Sequence, residues 1–161
     1  MLTLCDGDPT TVSYEIRADR EWRTRSLDLT VHGAHTGRLS LVADDPGDWV
    51  VEAGDAEVEL DGPFDVDTPF TPITNTLPIR RRDFDVGETV EVPVVYVSLP
   101  DLAVSVADQR YTRFTAHEDD ADVYRYEDEV SDLATEIVVD EEGFVLAYPQ
   151  LFDRVVKMSS A

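Results

Sequence analysis

The sequence predicts a mainly β protein, a curved antiparallel sheet that meanders into an open or half barrel. Three observations predict it. Short segments rich in Val, Ile, Thr and Tyr alternate apolar with polar residues along most of the chain. Gly, Pro and Asp clusters separate those segments as turns would. Helical spacing appears in one short stretch, LFDRVVKM (151–158), so at most one short helix is expected, near the C-terminus.

Taken in order, TVSYEIRA (11–18) sets Val12, Tyr14 and Ile16 on one face and Ser13, Glu15 and Arg17 on the other. WRTRSLDLTVH (22–32) alternates too, and the residues before it can turn the chain into a hairpin. GRLSLVA (37–43), DWVVE (48–52) and AEVEL (56–60) follow as short strands, the last two separated by Gly54-Asp55. The segment DGPFDVDTPFTPITNTLP (61–78) differs: its prolines and threonines leave little room for a regular helix or central strand, and it reads as a long ordered connection. Such connections in compact domains tend to be functional. Beyond it, TVEVPVVYVSL (89–99) and LAVSVADQRYTRFTA (102–116) are long β-branched runs hinged at Pro100-Asp101. VYRYE (123–127), LATEIVVD (133–140) and FVLAYP (144–149) complete about nine or ten strands, with Glu142-Gly143 as a hairpin turn.

Length and composition set the frame. The 161 residues suit a single domain spanning 1–161, long enough to close one core. A formal charge of −22 would favour disorder, but 42% hydrophobic content argues for a packed interior. Lys157 is the only lysine beside 12 arginines. Abundant Asp and Glu with almost no Lys fits a high-salt cytoplasm, where a carboxylate surface stays hydrated and its repulsion is screened within ~3 Å at 1 M salt. The charge balance disfavours nucleic acid, whose phosphates need a basic footprint. Cys5, the single cysteine, rules out an intramolecular disulfide and fits a reducing compartment. It lacks the flanks of a lipid-attachment site. No stretch approaches the ~20 apolar residues of a membrane-spanning helix.

Candidate ligand contacts come from scarce cations and from tyrosines. Arg80, Arg81 and Arg82 follow Pro78, with Asn75 and Thr76 as neutral hydrogen-bond partners just upstream. Arg23 and Arg25 share the alternating face of Leu27, Leu29 and Val31, and Arg113 shares one with Gln109 and Tyr111. Guanidinium forks at the ends of apolar strand faces suit the rim of a pocket for an amphiphile, and the alternative role for each is pairing with one of the 35 acids. Tyr96, Tyr111 and Tyr148 offer flat faces with a hydroxyl, either for a sugar ring or as core residues. Catalytic signals are scarce. No nucleophile elbow, phosphate loop or dinucleotide fingerprint occurs, and no cofactor is implied. His32 and His35 flank a Gly-Ala turn without patterned metal ligands, so no metal site is assigned. HEDDAD (117–122) lacks the spacing of a calcium loop and reads as a solvated turn.

The segments YEIRADREWRTRSLDL, DVD followed by TPITNTLPIRR, YVSLPDL with QRYTRF, YRYE, and VVDEEGFVLAYPQLFDR together resemble the putative glycolipid-binding protein family, once filed as a domain of unknown function. The resemblance covers about residues 11–156 in the same order, and TNTLPIRR is its most specific piece. It implies a strongly curved antiparallel sheet, similar in outline to bacterial lipoprotein carriers, and binding of a glycolipid or another amphiphile, with no enzyme activity. Relatives usually carry a strand or two ahead of the YEIR region. Their absence here would leave a bare sheet edge that invites pairing with a second copy.

The leading expectation is a cytoplasmic binding protein with an apolar ligand in the concave face and arginines at the rim. The alternatives are a protein-interaction module using an open sheet edge, and an enzyme acting on a carbohydrate or lipid ester.

Overall fold

The computed structural model describes residues 2–5, 8–45, 47–53, 56–114, 121–128 and 133–155. Among them the strands are β1 (Leu2–Cys5), β2 (Asp8–Ala18), β3 (Thr24–His32), β4 (Gly37–Asp45), β5 (Asp48–Ala53), β6 (Ala56–Asp61) and β7 (Asp65–Asp67). The single helix, α1 (Ile73–Arg81), follows, and then β8 (Thr89–Val97), β9 (Val104–Arg113), β10 (Asp122–Asp128), β11 (Leu133–Val139), β12 (Val145–Tyr148) and β13 (Phe152–Asp153). The mainly β class and the curled half-barrel expected from the sequence are what the chain forms.

The strands form two hydrogen-bonded sheets rather than one. The first is a meander ordered β1-β2-β3-β4-β5-β6, and the second is ordered β13-β12-β11-β10-β9-β8-β7. All neighbours are antiparallel except β7 and β8, which run parallel. Parallel neighbours need a crossover of a dozen or more residues, usually helical, and α1 is that crossover. The sheets meet where the Thr24 amide donates to the Phe64 carbonyl at 3.2 Å, setting the start of β3 beside the entry to β7.

The helix corrects the reading of 61–78 as irregular connection. Pro72 opens it, and Pro78 sits within it without an N–H to donate. An interior proline costs a helix ~3 kcal/mol in isolation, so packing must supply what propensity withholds. Six consecutive residues, Thr74 to Ile79, are buried. A helix buried on all sides shows no amphipathic period, which is why this one was invisible to pattern. Conversely, the expected C-terminal helix is absent over the part described: Phe152–Asp153 pair with β12, while 156–158 lie outside the described residues. Gly54-Asp55, Lys157 and most of HEDDAD also lie outside them. A strand does precede the YEIR region, because β1 pairs with β2.

Two apolar clusters make the core. One joins Val12, Leu27, Leu29, Val31, Leu39, Leu41 and Trp49 of the first sheet to Leu77 of α1 and Val95 and Val97 of β8. The other joins Ile79 of α1 to Val92, Val94, Tyr111, Tyr124, Tyr126 and Ile137 on the inner face of the second sheet. Burying each Leu or Ile contributes about 1.5–3 kcal/mol. Leu77 and Ile79, two residues apart, thus anchor different clusters. The inward Val, Leu and Ile expected to hold a hydrocarbon chain pack instead on α1 and on one another.

Candidate functional site

The site begins with the hairpin loop between β2 and β3. Asp19 Oδ1 accepts from the amides of Glu21 and Arg23, both at 3.0 Å, and the Asp19 amide donates to the Arg23 carbonyl at 2.9 Å. This bonding holds Trp22 at φ 62°, a left-handed conformation uncommon for an aromatic residue. Held there, Trp22 lies against Phe144, with ring centroids 6.3 Å apart.

The end of α1 delivers the arginines to the same place. Arg80 lies over Trp22, its guanidinium carbon 4.4 Å from the ring centroid, and donates to the carbonyl of Glu142 in the β11–β12 turn. Gly143 makes room for it, since a Cβ there would approach Arg80 Cγ to 2.9 Å. Arg81 turns the other way. It donates from Nε and Nη2 to the carboxylate of Asp65, which is wholly buried, and lies 5.5 Å from the Phe64 ring. Burial pushes the Asp65 carboxyl above its ordinary value, and the hydrogen bond and charge of Arg81, with the charge of Arg82, oppose that. Two cations in the last turn also suit the negative end of the helix dipole. Arg82 is half-buried, its Nε without a partner among the described residues.

Between these elements lies an open cleft of about 520 Å³ lined by Glu21, Arg23, Phe64 and Arg81. Arg81 is committed to Asp65, but the Arg23 guanidinium and the Glu21 carboxylate pair with nothing among the described residues. Phe64 is 39% exposed, high for its size. The cleft therefore presents a cation, an anion and an aromatic face to solvent.

The other expected contacts lie elsewhere. Arg25 falls at a bulge, where Arg17 and Ala18 face Ser26 and Thr24, so the alternation expected from Leu27 slips by one residue. Its Nη2 donates to the Asp44 carbonyl at 2.7 Å. Arg113 donates to the Phe84 carbonyl at 2.9 Å and to Asp122 Oδ2 at 2.8 Å. Asn75, Thr76 and Tyr111 are interior residues, and the Tyr111 hydroxyl donates to Asn75 Oδ1 at 2.8 Å. The Thr76 hydroxyl is buried without a partner among the described residues. Tyr148 is buried and Tyr96 half-buried, both on the inner side of the second sheet.

Asp67 was not anticipated. Its Oδ1 accepts from the Thr74 hydroxyl and the Thr68 amide, both at 2.7 Å, and its Oδ2 accepts from Gln109 Nε2 at 2.6 Å. Burial raises its pKa despite those three bonds. Trp22, Glu21 and Phe64 were also missed as site residues. Asp65 and Asp67 stand in the DVD motif, but two acids among 35 carry no mark of burial. His32 and His35 are exposed, and among the described residues no group of three or more His, Cys, Asp or Glu could hold a metal. No described helix is long and apolar enough to cross a membrane.

Comparison with known proteins gives the arrangement relatives. No curated protein matches the chain. A solved structure does: the crystal structure, at 1.80 Å resolution, of a DUF1089 family protein from Pseudomonas aeruginosa. It is 33% identical with a TM-score of 0.80, over 96% of this chain and 90% of that one. A family model with the description "Putative glycolipid-binding" matches residues 1–154, ten residues further toward the N-terminus than the motifs alone reach. With nearly its whole length covered, this chain belongs to the putative glycolipid-binding family.

Proposed function

We propose that the chain binds the polar head group of a glycolipid or a related amphiphile in the cleft of Glu21, Arg23, Phe64 and Arg81. The observation that carries this reading is the Arg23 guanidinium and Glu21 carboxylate, unpaired among the described residues, flanking the exposed Phe64 ring. A guanidinium offers several fixed N–H donors and a carboxylate several acceptor lone pairs, a combination matched to adjacent sugar hydroxyls. An aromatic face suits the C–H side of a sugar ring. The volume lies within the ~300–1,000 Å³ of small-molecule sites. The family description supports the same ligand class.

This reading moves the ligand from the inside of the half-barrel to its rim. The head group is what the protein recognises, and the hydrocarbon remains with the membrane or micelle that carries it. Arg80, held over Trp22, and Arg81, paired with Asp65, support the cleft by fixing its walls, and Arg23 makes the contact.

Co-flotation with vesicles tests it, using phosphatidylcholine alone and phosphatidylcholine doped with a neutral monohexosyl lipid. Sugar-dependent flotation is expected, with Arg23→Ala weakening it about tenfold or more, the scale of a hydrogen bond to a charged group. Flotation independent of the sugar, or unaltered by Arg23→Ala, counts against the proposal.

A further inference from the structure

The head-group cleft is lined by two guanidiniums, and a guanidinium ordinarily prefers phosphate or sulfate to a hydroxyl. Every phospholipid surface offers phosphate, so two uncompensated arginines would dock on any membrane. Three features of the lining oppose that. The first is that Arg81 is already committed. Its Nε lies 3.4 Å from Asp65 Oδ1 and its Nη2 holds Oδ2, with the Asp65 side chain wholly buried. Swinging Arg81 to a ligand would leave the Asp65 charge buried and alone.

The second is Glu21, which lines the same space as Arg23 from the same loop. Asp19 Oδ1 accepts from both backbone amides at 3.0 Å, so one constrained turn carries the anion and the cation. Their side chains pair neither with each other nor with another described residue. An anion approaching Arg23 therefore meets the Glu21 carboxylate as well. A sugar hydroxyl, donor and acceptor at once, satisfies both groups.

Phe64 is the third. Trp49 Nε1 donates to the Pro63 carbonyl at 2.7 Å, and the Thr24 amide donates to the Phe64 carbonyl at 3.2 Å. Gly47 lies behind the ring edge, where a Cβ would come within 3.2 Å of Phe64 Cε1. The ring is thus seated through its backbone and its edge while 39% of the residue stays exposed. An aromatic face carries the negative part of the ring quadrupole, which favours sugar C–H groups and repels an anion. The formal charge of −22 adds to that repulsion at longer range.

We propose that the cleft takes a neutral head group and that Glu21 is the specificity-determining residue that rejects anionic ones. This rests on the head-group reading above and assigns the charge of the ligand within it.

Co-flotation tests the two separately. One vesicle set carries a neutral monohexosyl lipid, and the other carries the same lipid with a sulfate ester on its sugar. Phosphatidylglycerol added to the neutral set matches the surface charge, so only the charge on the recognised sugar differs. The parent chain should float with the neutral lipid about tenfold better or more. Glu21→Gln should weaken neutral binding a few-fold, through its poorer acceptor, and strengthen sulfated binding. The sulfated-to-neutral ratio should therefore rise about tenfold or more. Asp108→Asn removes an exposed charge on β9 that does not line the cleft, and it should leave the ratio unchanged. An unchanged ratio in Glu21→Gln, an equal rise in Asp108→Asn, or a parent that prefers the sulfated lipid overturns the role of Glu21 while the head-group reading stands. A parent that floats with neither lipid overturns the head-group reading, and this proposal with it.

Discussion

Arg81 donates to both carboxylate oxygens of Asp65, and Asp65 has no exposed surface while Arg81 keeps 12% of its side chain accessible. One guanidinium therefore neutralises a fully desolvated charge and forms a wall of the cleft. Removing one partner of such a pair leaves the other charge buried and alone, which typically costs about 3–5 kcal/mol. Arg81→Ala, alone or with Arg82→Ala, should therefore lower the midpoint of denaturant unfolding severely at fixed high salt. Replacing both members, Arg81→Met with Asp65→Leu, should lose much less than the two single changes summed. A folded Arg81→Ala chain with an unshifted midpoint would deny the pair any structural part.

Arg80 is held by contacts on opposite sides, Trp22 and the β11–β12 turn. Gly143 takes φ +77°, and a Cβ there would meet Arg80 Cγ at 2.9 Å. Gly143→Ala should cost about 1–2 kcal/mol from the left-handed backbone alone, with a further steric share. Adding Arg80→Ala should return the steric share and leave the backbone share. A double-mutant cycle on thermal unfolding measures the difference, and strict additivity would mean that the two residues do not touch.

These contacts mark the boundary of what the sequence could disclose. Strands were legible because their side chains alternate across a two-sided layer, so Leu27, Leu29 and Val31 point inward by pattern alone. The TNTLPIRR segment was recognisable as special, yet its helix was not, because burial from Thr74 to Ile79 erases any polar face. The arginine trio stands out in an acidic sequence, but its partners are hidden. Asp65 lies 16 residues from Arg81, and Glu142 lies 62 from Arg80. Nothing local distinguishes Asp65 from the other acids. Arg25 failed for a different reason, since one bulge opposite Arg17 and Ala18 reverses the face of the residue at it. Half of the cleft was visible, as Arg23 and Arg81, and its aromatic and acidic walls were not.

Tyr111 and Tyr126 stack on each other but differ in their hydroxyls. Tyr111 donates to Asn75 Oδ1 at 2.8 Å inside the core, joining β9 to α1. Tyr111→Phe should cost about 1–3 kcal/mol by stranding the buried Asn75 oxygen. Tyr126→Phe, which strands nothing among the described residues, should change stability by no more than a few tenths of that. Chemical denaturation of the two variants side by side checks the contrast. Equal losses would mean that the Tyr126 hydroxyl is also bonded within the protein.

Asp67 gives the fold a pH dependence whose sign follows from its surroundings. Burial raises its carboxyl above the ordinary 3.8, the bonds from Thr74, Gln109 and Thr68 pull it down, and the charge of Asp128 pushes it up, with the net shift upward. The native chain therefore holds this proton more tightly than the unfolded chain does. Between 3.8 and the raised native value the native state binds more protons, so this site's contribution to stability falls as pH rises through that window. Below the window the contribution is whole, and above it the deficit stays constant. Asp67→Asn removes the titration, at the expense of an acceptor for Thr74, Thr68 or Gln109. The melting-temperature difference, variant minus parent, should therefore become more positive as pH rises from below 3.8 toward neutrality. The general repulsion among surface carboxylates follows pH in both chains and cancels in that difference. A difference that is flat, or that moves the other way, would mean that the carboxylate of Asp67 is better solvated in the folded protein than its burial implies.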